Sequence, residues 1–273
     1  VAIVESRFLL IVRLSSAVRH PAPAPCVGIC LQYSGFVTPQ ENILLAPYTT
    51  LQVGGPARWL VEAIDDAQIL AAIAFAREQQ VGYFILGGGS NLLVSDAGFS
   101  GVVIRVASSG AAWEDQHNGT ATIAASAGAD WDSVVRLAVE KNCSGIECLA
   151  GIPGSVGGTP VQNVGAYGQE VSRAITEVRA LDLEAEHAVQ LTPKECGFSY
   201  RRSMFNSTAK GRYAITQVTY TLELDGAPHL EYRDVRQYFN ERAIASPTLV
   251  ETAAAVREIR ARKGMLVDQA DAD

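Results

Sequence analysis

The sequence predicts an α+β protein, and three observations carry that reading. Two segments, from Asp65 and from Asp130, repeat apolar residues at helical spacing behind an acidic N-cap. Two short apolar runs, Tyr83–Leu86 and Gly101–Arg105, lie too close together for a long crossover helix. A strand-rich stretch then extends from about Val171 to Leu224. Glycine-rich segments punctuate this pattern twice.

Taken in order, residues 1–37 differ from the rest, and Pro21-Ala-Pro-Ala-Pro25 favours extended chain. They read as a poorly ordered extension or as a targeting tail. From Asn42 the pattern is regular. Asp65-x-x-Gln68 is a capping pattern, and Ile69, Leu70, Ile73 and Ala76 share one face of a helix expected to reach about Gln80. The strand Tyr83–Leu86 follows, then the turn Gly87–Asn91, and Asn91–Val94 reads as further strand. Asp130 caps a helix with Trp131, Val134, Val135 and Ala138 on one side. In Tyr213–Leu222, residues Ala214, Thr216, Val218, Tyr220 and Leu222 alternate onto one sheet face. Thr192-Pro193-Lys-Glu195 opens a short helix, with proline at its first position and Glu195 completing a capping box. After Pro247 a last helix aligns Leu249, Thr252, Val256 and Ile259.

The composition narrows the function. Of 273 residues, 48% are apolar and 19% charged, which excludes a disordered chain. The 22 Lys and Arg against 29 Asp and Glu leave a net charge of −7, the wrong sign for binding nucleic acid. The longest apolar run near the N-terminus, Phe8–Val12, is far shorter than the ~20 residues of a membrane-spanning helix. Cys26, Cys30, Cys143, Cys148 and Cys196 form no CxxC repeat or Cys/His cluster. They read as reduced structural thiols of a cytoplasmic protein without a metal site.

Three segments could carry chemistry. Gly87-Gly88-Gly89-Ser90-Asn91 follows a strand, and its backbone N–H groups, helped by Ser and Asn, could approach an anion. By itself it is equally an ordinary tight turn. It lacks the G-x-G-x-x-G of a dinucleotide helix and the Gly-Lys-Ser/Thr of a P-loop. Residues 151–168 hold six glycines together with Gln162, Asn163 and Tyr167, a surface for a planar or phosphorylated ligand or a long surface loop. Two such elements in one chain favour a dinucleotide cleft. In Phe198–Phe205, Tyr200 and Arg201 set a phenol beside a guanidinium, a pair suited to a carboxylate or enolate.

Together these segments resemble the UDP-N-acetylenolpyruvoylglucosamine reductase family, flavoenzymes of peptidoglycan precursor synthesis. The likeness covers roughly residues 42–272. It runs through Tyr48–Gly55, Ile85–Leu93, Gly145-Ile-Glu147, Ala150–Gly158, Gln162–Gly168, Tyr200–Phe205 and Arg260–Lys263. It implies an FAD-binding fold of the vanillyl-alcohol-oxidase type: subdomains at 38–94 and 95–246, then the start of a substrate domain at 247–273. It implies non-covalent FAD, reduced by NADPH, whose N5 passes hydride to the enolpyruvyl double bond to give UDP-N-acetylmuramate. Residues matched by motif to FAD contacts are Ile85, Leu86, Gly87, Gly88, Gly89, Ser90 and Asn91. In the longer loop they are Gly151, Ile152, Pro153, Gly154, Ser155, Gly157, Gly158, Gln162, Asn163, Gly165, Ala166 and Tyr167. Arg201 is matched to the residue near flavin and substrate carboxylate, with Tyr200 beside it. Tyr232 and Lys263 resemble contacts to the UDP moiety.

The resemblance also carries a departure. The family's Ser-x-Gly-Ser-x-Phe-Lys-Asn-Pro segment, with its proton-donating Ser, and a later Glu find no counterpart before Asp273. The expectation is a truncated chain, inactive as given and monomeric when complete, whose last helix turns its apolar side toward an absent domain. The expected partner is a small nucleotide sugar, with neither nucleic acid nor membrane. Two other readings are a non-catalytic flavin or nucleotide-sugar binding module and a sugar or lactone oxidase. The oxidase reading expects a flavin-linking His in the glycine-rich turn, where this sequence has Ser90.

Overall fold

The computed structural model describes residues 37–115 and 118–266, in two compact units that divide between Ala107 and Ser108. The expectation for residues 1–37, together with Cys26 and Cys30, thus falls almost wholly outside the described residues.

In the first unit, β1 (Gln40–Leu44), β2 (Pro56–Ala63), β3 (Tyr83–Leu86) and β4 (Phe99–Val106) form one sheet in the order β1-β2-β4-β3. β1 is antiparallel to β2, whereas β2 and β3 both run parallel to β4. Helix α1 (Asp66–Glu78) connects β2 to β3 and buries Ile69, Leu70, Ile73 and Ala76. Asp65 accepts the Gln68 N–H at 2.8 Å, and Gln68 reaches back to accept the Ile64 N–H at 2.9 Å. The helix stops two residues earlier than its pattern suggests, with Gln80 at φ 55° turning the chain into β3.

Two boundaries differ from the sequence reading. β4 is hydrogen-bonded to β2 and β3, so a division after Val94 would cut this sheet; the first unit closes at Ala107. Asn91–Val94 joins no ladder. Its Leu92 and Val94 are buried with Leu45, Leu60, Leu86 and Phe99, so this apolar alternation fills a core from a loop. Periodicity records burial, and strand pairing is a separate condition.

The second unit begins with β5 (Ala111–Asp115), β6 (Thr120–Ser126), α2 (Trp131–Glu140) and β7 (Cys143–Ser144). The hairpin β8 (Gly165–Ala166) and β9 (Gln169–Glu170) follows, then β10 (Ile175–Asp182), β11 (His187–Leu191) and α3 (Pro193–Cys196). β12 (Tyr213–Leu224), α4 (Arg233–Asn240) and α5 (Leu249–Arg262) complete it. The main sheet is antiparallel, in the order β11-β10-β12-β6-β5, with β7 on the end of β12.

On β12, Ala214, Val218, Tyr220 and Leu222 are buried, and the Tyr220 ring lies 5.5 Å from that of Trp131 on α2. Burying one such side chain contributes about 1.5–3 kcal/mol. The capping boxes at Thr192/Glu195 and Thr248/Glu251 are both formed. On α5, Leu249, Thr252, Val256 and Ile259 are buried, because the helix packs against α2, α4 and the turn Glu147–Leu149. The expectation of an apolar side left uncovered is therefore corrected: the second unit itself covers it.

Cys143, Cys148 and Cys196 are buried, and burial pushes the Cys196 thiol up to about 12. Among the described residues no helix is long and apolar enough to cross a membrane, and no cluster of His, Cys, Asp and Glu could hold a metal ion.

Candidate functional site

Gly87–Asn91 leaves the carboxyl end of β3, beside the carboxyl end of β4, where parallel strands commonly present ligand-binding turns. Ile85 is half-buried and Leu86 buried, so these two anchor the turn. Gly88 is exposed, and Gly87, Ser90 and Asn91 are half-buried. Gly89 sits at φ 63°, and a Cβ there would come within 1.9 Å of the Tyr48 carbonyl oxygen. Its own carbonyl accepts the Thr50 N–H at 3.2 Å. Tyr48-Thr-Thr50 is thus the brace of the glycine turn, which accounts for the two motifs occurring together.

Within the second unit, the glycine-rich loop runs from Gly151 to Gly168. Its middle is fixed by main-chain bonds: the Gly154 carbonyl accepts from Trp131, and Val156 and Gly157 donate to Ala129 and Ala127. Thr159 donates to the Val156 carbonyl and meets the Tyr220 hydroxyl, both at 2.8 Å. Ile152, Pro153, Gly154, Gln162, Gly165 and Ala166 are half-buried, Ser155 is buried and Gly158 is exposed.

The Asn163 side chain is turned inward. It is 1% exposed at φ 46°, its amide donates to Glu170 and Ser199 at 3.1 Å each, and its oxygen accepts the Ser172 N–H at 3.1 Å. Both donors are therefore committed inside the protein. Asn163 shapes the loop and offers no side-chain donor to a ligand.

Beyond this loop, Tyr167, Tyr232, Arg260 and Lys263 gather. The Tyr167 ring meets that of Tyr232 edge-on at 5.3 Å, with the Lys263 ammonium 5.6 Å from its centre. Lys263 pairs with Asp234, and that hydrogen bond holds its ammonium above the ordinary range. The Tyr167 hydroxyl is buried and has no acceptor for its proton among the described residues, while the Arg260 guanidinium interacts with it from one side. Desolvation raises the Tyr167 phenol and lowers the Arg260 guanidinium.

Tyr200 and Arg201 form a separate corner. Tyr200 is 74% exposed, and the Arg201 guanidinium lies 5.7 Å from its ring. Arg201 sits at φ 55°, its carbonyl accepting from Asn206 at 3.2 Å. Ser203 donates to the Val161 carbonyl at 2.6 Å, tying this turn to the glycine loop.

Three residues that the sequence reading left without a role belong to this framework. Asp132 accepts the Gly151 N–H at 2.7 Å, Gln169 accepts the Cys148 N–H at 2.8 Å, and buried Glu147 accepts the N–H groups of Gly145 and His229 at 2.8 and 2.7 Å. The partners of Asp132 and Gln169 lie about twenty residues away, outside any local pattern, whereas Glu147 stands in the Gly145-Ile-Glu147 segment of the family likeness and reaches its second partner, His229, only in the fold.

The family described as "FAD binding domain" matches residues 57–190. UDP-N-acetylenolpyruvoylglucosamine reductase of Streptomyces coelicolor is 42% identical over 232 residues, 84% of this chain and 59% of the relative. The enzyme of that name from Pseudomonas fluorescens is 34% identical over 82% of this chain and 66% of its own length. The chain belongs to the UDP-N-acetylenolpyruvoylglucosamine reductase family.

The crystal structure of the reductase from Thermus caldophilus superposes with a TM-score of 0.59 at 28% identity, covering 83% of this chain and 70% of that one. A BBE-like protein of Physcomitrella patens, 16% identical, shares the fold with a TM-score of 0.51 over 77% of this chain and 48% of that one. The α+β FAD-binding fold expected from the sequence is therefore present. Against the first reductases it matches, the chain spans about 59–65% of their length.

Proposed function

We propose that this chain binds FAD without a covalent link and forms the flavin-binding part of an enzyme that, with NADPH, reduces UDP-N-acetylglucosamine enolpyruvate to UDP-N-acetylmuramate. The observation that carries the reading is the buried Tyr167 hydroxyl, unsatisfied among the described residues, beside the Arg260 guanidinium at the end of a glycine-built loop. Leaving a buried hydroxyl unmatched costs about 1–3 kcal/mol, which an acceptor such as a phosphate oxygen would remove. The backbone of the loop is also accessible, since a Cβ at Gly158 would meet nothing within 4 Å. These residues fit a dinucleotide. The names of the relatives supply the substrate class.

On this reading Ile85–Asn91 and Gly151–Tyr167 hold FAD mainly through backbone groups. Bound FAD supplies the redox chemistry, taking electrons from NADPH and passing them to the enolpyruvyl double bond. Arg201 makes no ion pair among the described residues, so its charge is available to the substrate carboxylate and to the enolate oxygen that develops from it. Tyr200 shields that charge from one side. Tyr232 and Lys263 stand at the UDP end, where Asp234 keeps the ammonium charged. The partner is a soluble nucleotide sugar, and the proposed compartment is the cytoplasm.

Anaerobic stopped-flow mixing tests the reading. The FAD-loaded chain should lose its flavin absorbance on adding NADPH and, once joined to the relatives' segment with the proton-donating Ser and the later Glu, recover it on adding the enolpyruvyl nucleotide sugar. Recovery with oxygen alone would favour an oxidase. A joined chain that binds flavin yet shows no substrate-driven recovery would be a binding module.

A further inference from the structure

The loop that carries the proposed flavin contacts is held differently at its start and at its middle. Gly154, Val156 and Gly157 exchange main-chain bonds with residues 127–131, a close approach in which a Cβ at Gly157 would come within 2.8 Å of the Ala127 Cβ. Gly151 is held by side chains. Its N–H donates to Asp132 on α2 at 2.7 Å, and its carbonyl accepts from Arg260 Nε on α5 at 3.2 Å. Both polar groups of one residue at φ 72° are thus gripped from two helices distant in sequence.

Asp132 joins the two helices. One carboxylate oxygen takes the Gly151 N–H, while the other pairs with Arg257 and lies 4.0 Å from Arg136. Arg257, Arg260 and Lys263 follow at three-residue spacing along the end of α5, so they share a face. Asp132 balances the first and Asp234 the last. Arg260, between them, is committed to the carbonyls of Gly151 and Met265.

We infer that Asp132 is a positioning residue for the cofactor: held by Arg257, its carboxylate fixes the Gly151 turn in the geometry that receives the flavin. Asp132 touches neither cofactor nor substrate and acts through the Gly151 peptide. The inference rests on the reading that this loop holds FAD. It extends that reading to a carboxylate that a first-turn helix position would otherwise explain completely.

Two measurements on the whole chain test it. Amide hydrogen exchange reads the clamp without any ligand. In Asp132→Ala the Gly151 amide should exchange at least ~10-fold faster, as loss of one charge-assisted bond implies, while β12 amides keep their protection. Flavin titration reads the consequence: Asp132→Ala should weaken FAD by about tenfold and alter the visible circular dichroism of the bound flavin. Asp132→Asn keeps an oxygen for the Gly151 N–H and should recover most of that affinity. Should Asp132→Ala fail to fold, Arg257→Met removes only the counter-ion and should shift both readouts in the same direction. Equal FAD affinity in Asp132→Ala and the unchanged chain would overturn the inference, as would an undisturbed Gly151 amide. An unchanged chain that binds no FAD would overturn the function proposed above and this inference with it.

Discussion

Thr159 and Tyr220 meet hydroxyl to hydroxyl at 2.8 Å, and neither residue is exposed. The Thr159 proton is committed to the Val156 carbonyl, so Tyr220 is the donor. The bond fastens the glycine-rich loop to the central strand of the second unit, beneath a ring contact with Trp131. Burial raises the Tyr220 phenol above its ordinary range, so it stays protonated and able to donate. Tyr220→Phe keeps the ring and removes the donor. It should cost about 1–2 kcal/mol, seen as a lower urea midpoint with unchanged slope. An unchanged midpoint would mean that the loop is not anchored there.

Flavin bound to this chain should be released by acid. Neither Gly87–Asn91 nor residues 151–168 contain a His or Cys able to form a covalent link. After acid precipitation the yellow chromophore should remain in the supernatant. Colour retained in the pellet would point to covalent attachment.

Arg201→Met should separate chemistry from cofactor binding. The guanidinium stands apart from the glycine loops' own bonds and is proposed to meet charge that grows only in the transition state. In the chain joined to the relatives' Ser-bearing segment, substrate-driven flavin recovery should slow by about 10²-fold or more while the FAD dissociation constant stays within about twofold. Near-normal recovery would remove Arg201 from the proposed site.

Asp182 gives the second unit an acid-sensitive contact. Arg212 donates two hydrogen bonds to its carboxylate, at 3.0 and 2.7 Å, and the N–H groups of Glu184 and Ala185 add two more. The Arg212 bond is the largest cause holding this carboxyl below its ordinary range, burial acting the other way. A lowered folded-state value means that the unfolded chain takes up the proton first as pH falls. The contribution is therefore complete above the unfolded value of ~3.9 and is lost as pH drops through the lower folded value. Asp182→Asn should be less stable near neutrality and flatter in its acid dependence. Urea midpoints between about pH 6 and pH 3 would test this, and parallel curves for the two proteins would contradict it.

Local chemistry was enough to read four of the five helices and three of their caps, whereas α4 and the Thr248 cap came from the structure. Asp65, Asp130, Thr192 and Thr248 cap where their spacing to Gln68, Ser133, Glu195 and Glu251 places an acceptor near a free N–H, a relation complete within four residues. The alternation of Tyr213–Leu222 likewise marked a half-buried strand, and the ordered motifs marked the family. Three-dimensional packing decided the rest. Leu92 and Val94 alternate like a strand but plug a core from a loop, because whether an extended segment pairs depends on which edge it reaches. Asn163 sits in a glycine-rich loop that reads as a ligand surface, yet Glu170 and Ser199 take both of its amide donors and Ser172 bonds its oxygen. Arg201 adopts φ 55° with no glycine to announce it, held by the Asn206 amide and the neighbouring turn. Asp132 reads as a helix-start carboxylate until Gly151 and Arg257 arrive from elsewhere in the chain. Spacing along the chain fixes what neighbours within a few residues can do for one another. Which distant groups share a carboxylate or fill an amide is set by the free energy of the whole packed unit, and one sequence does not display it.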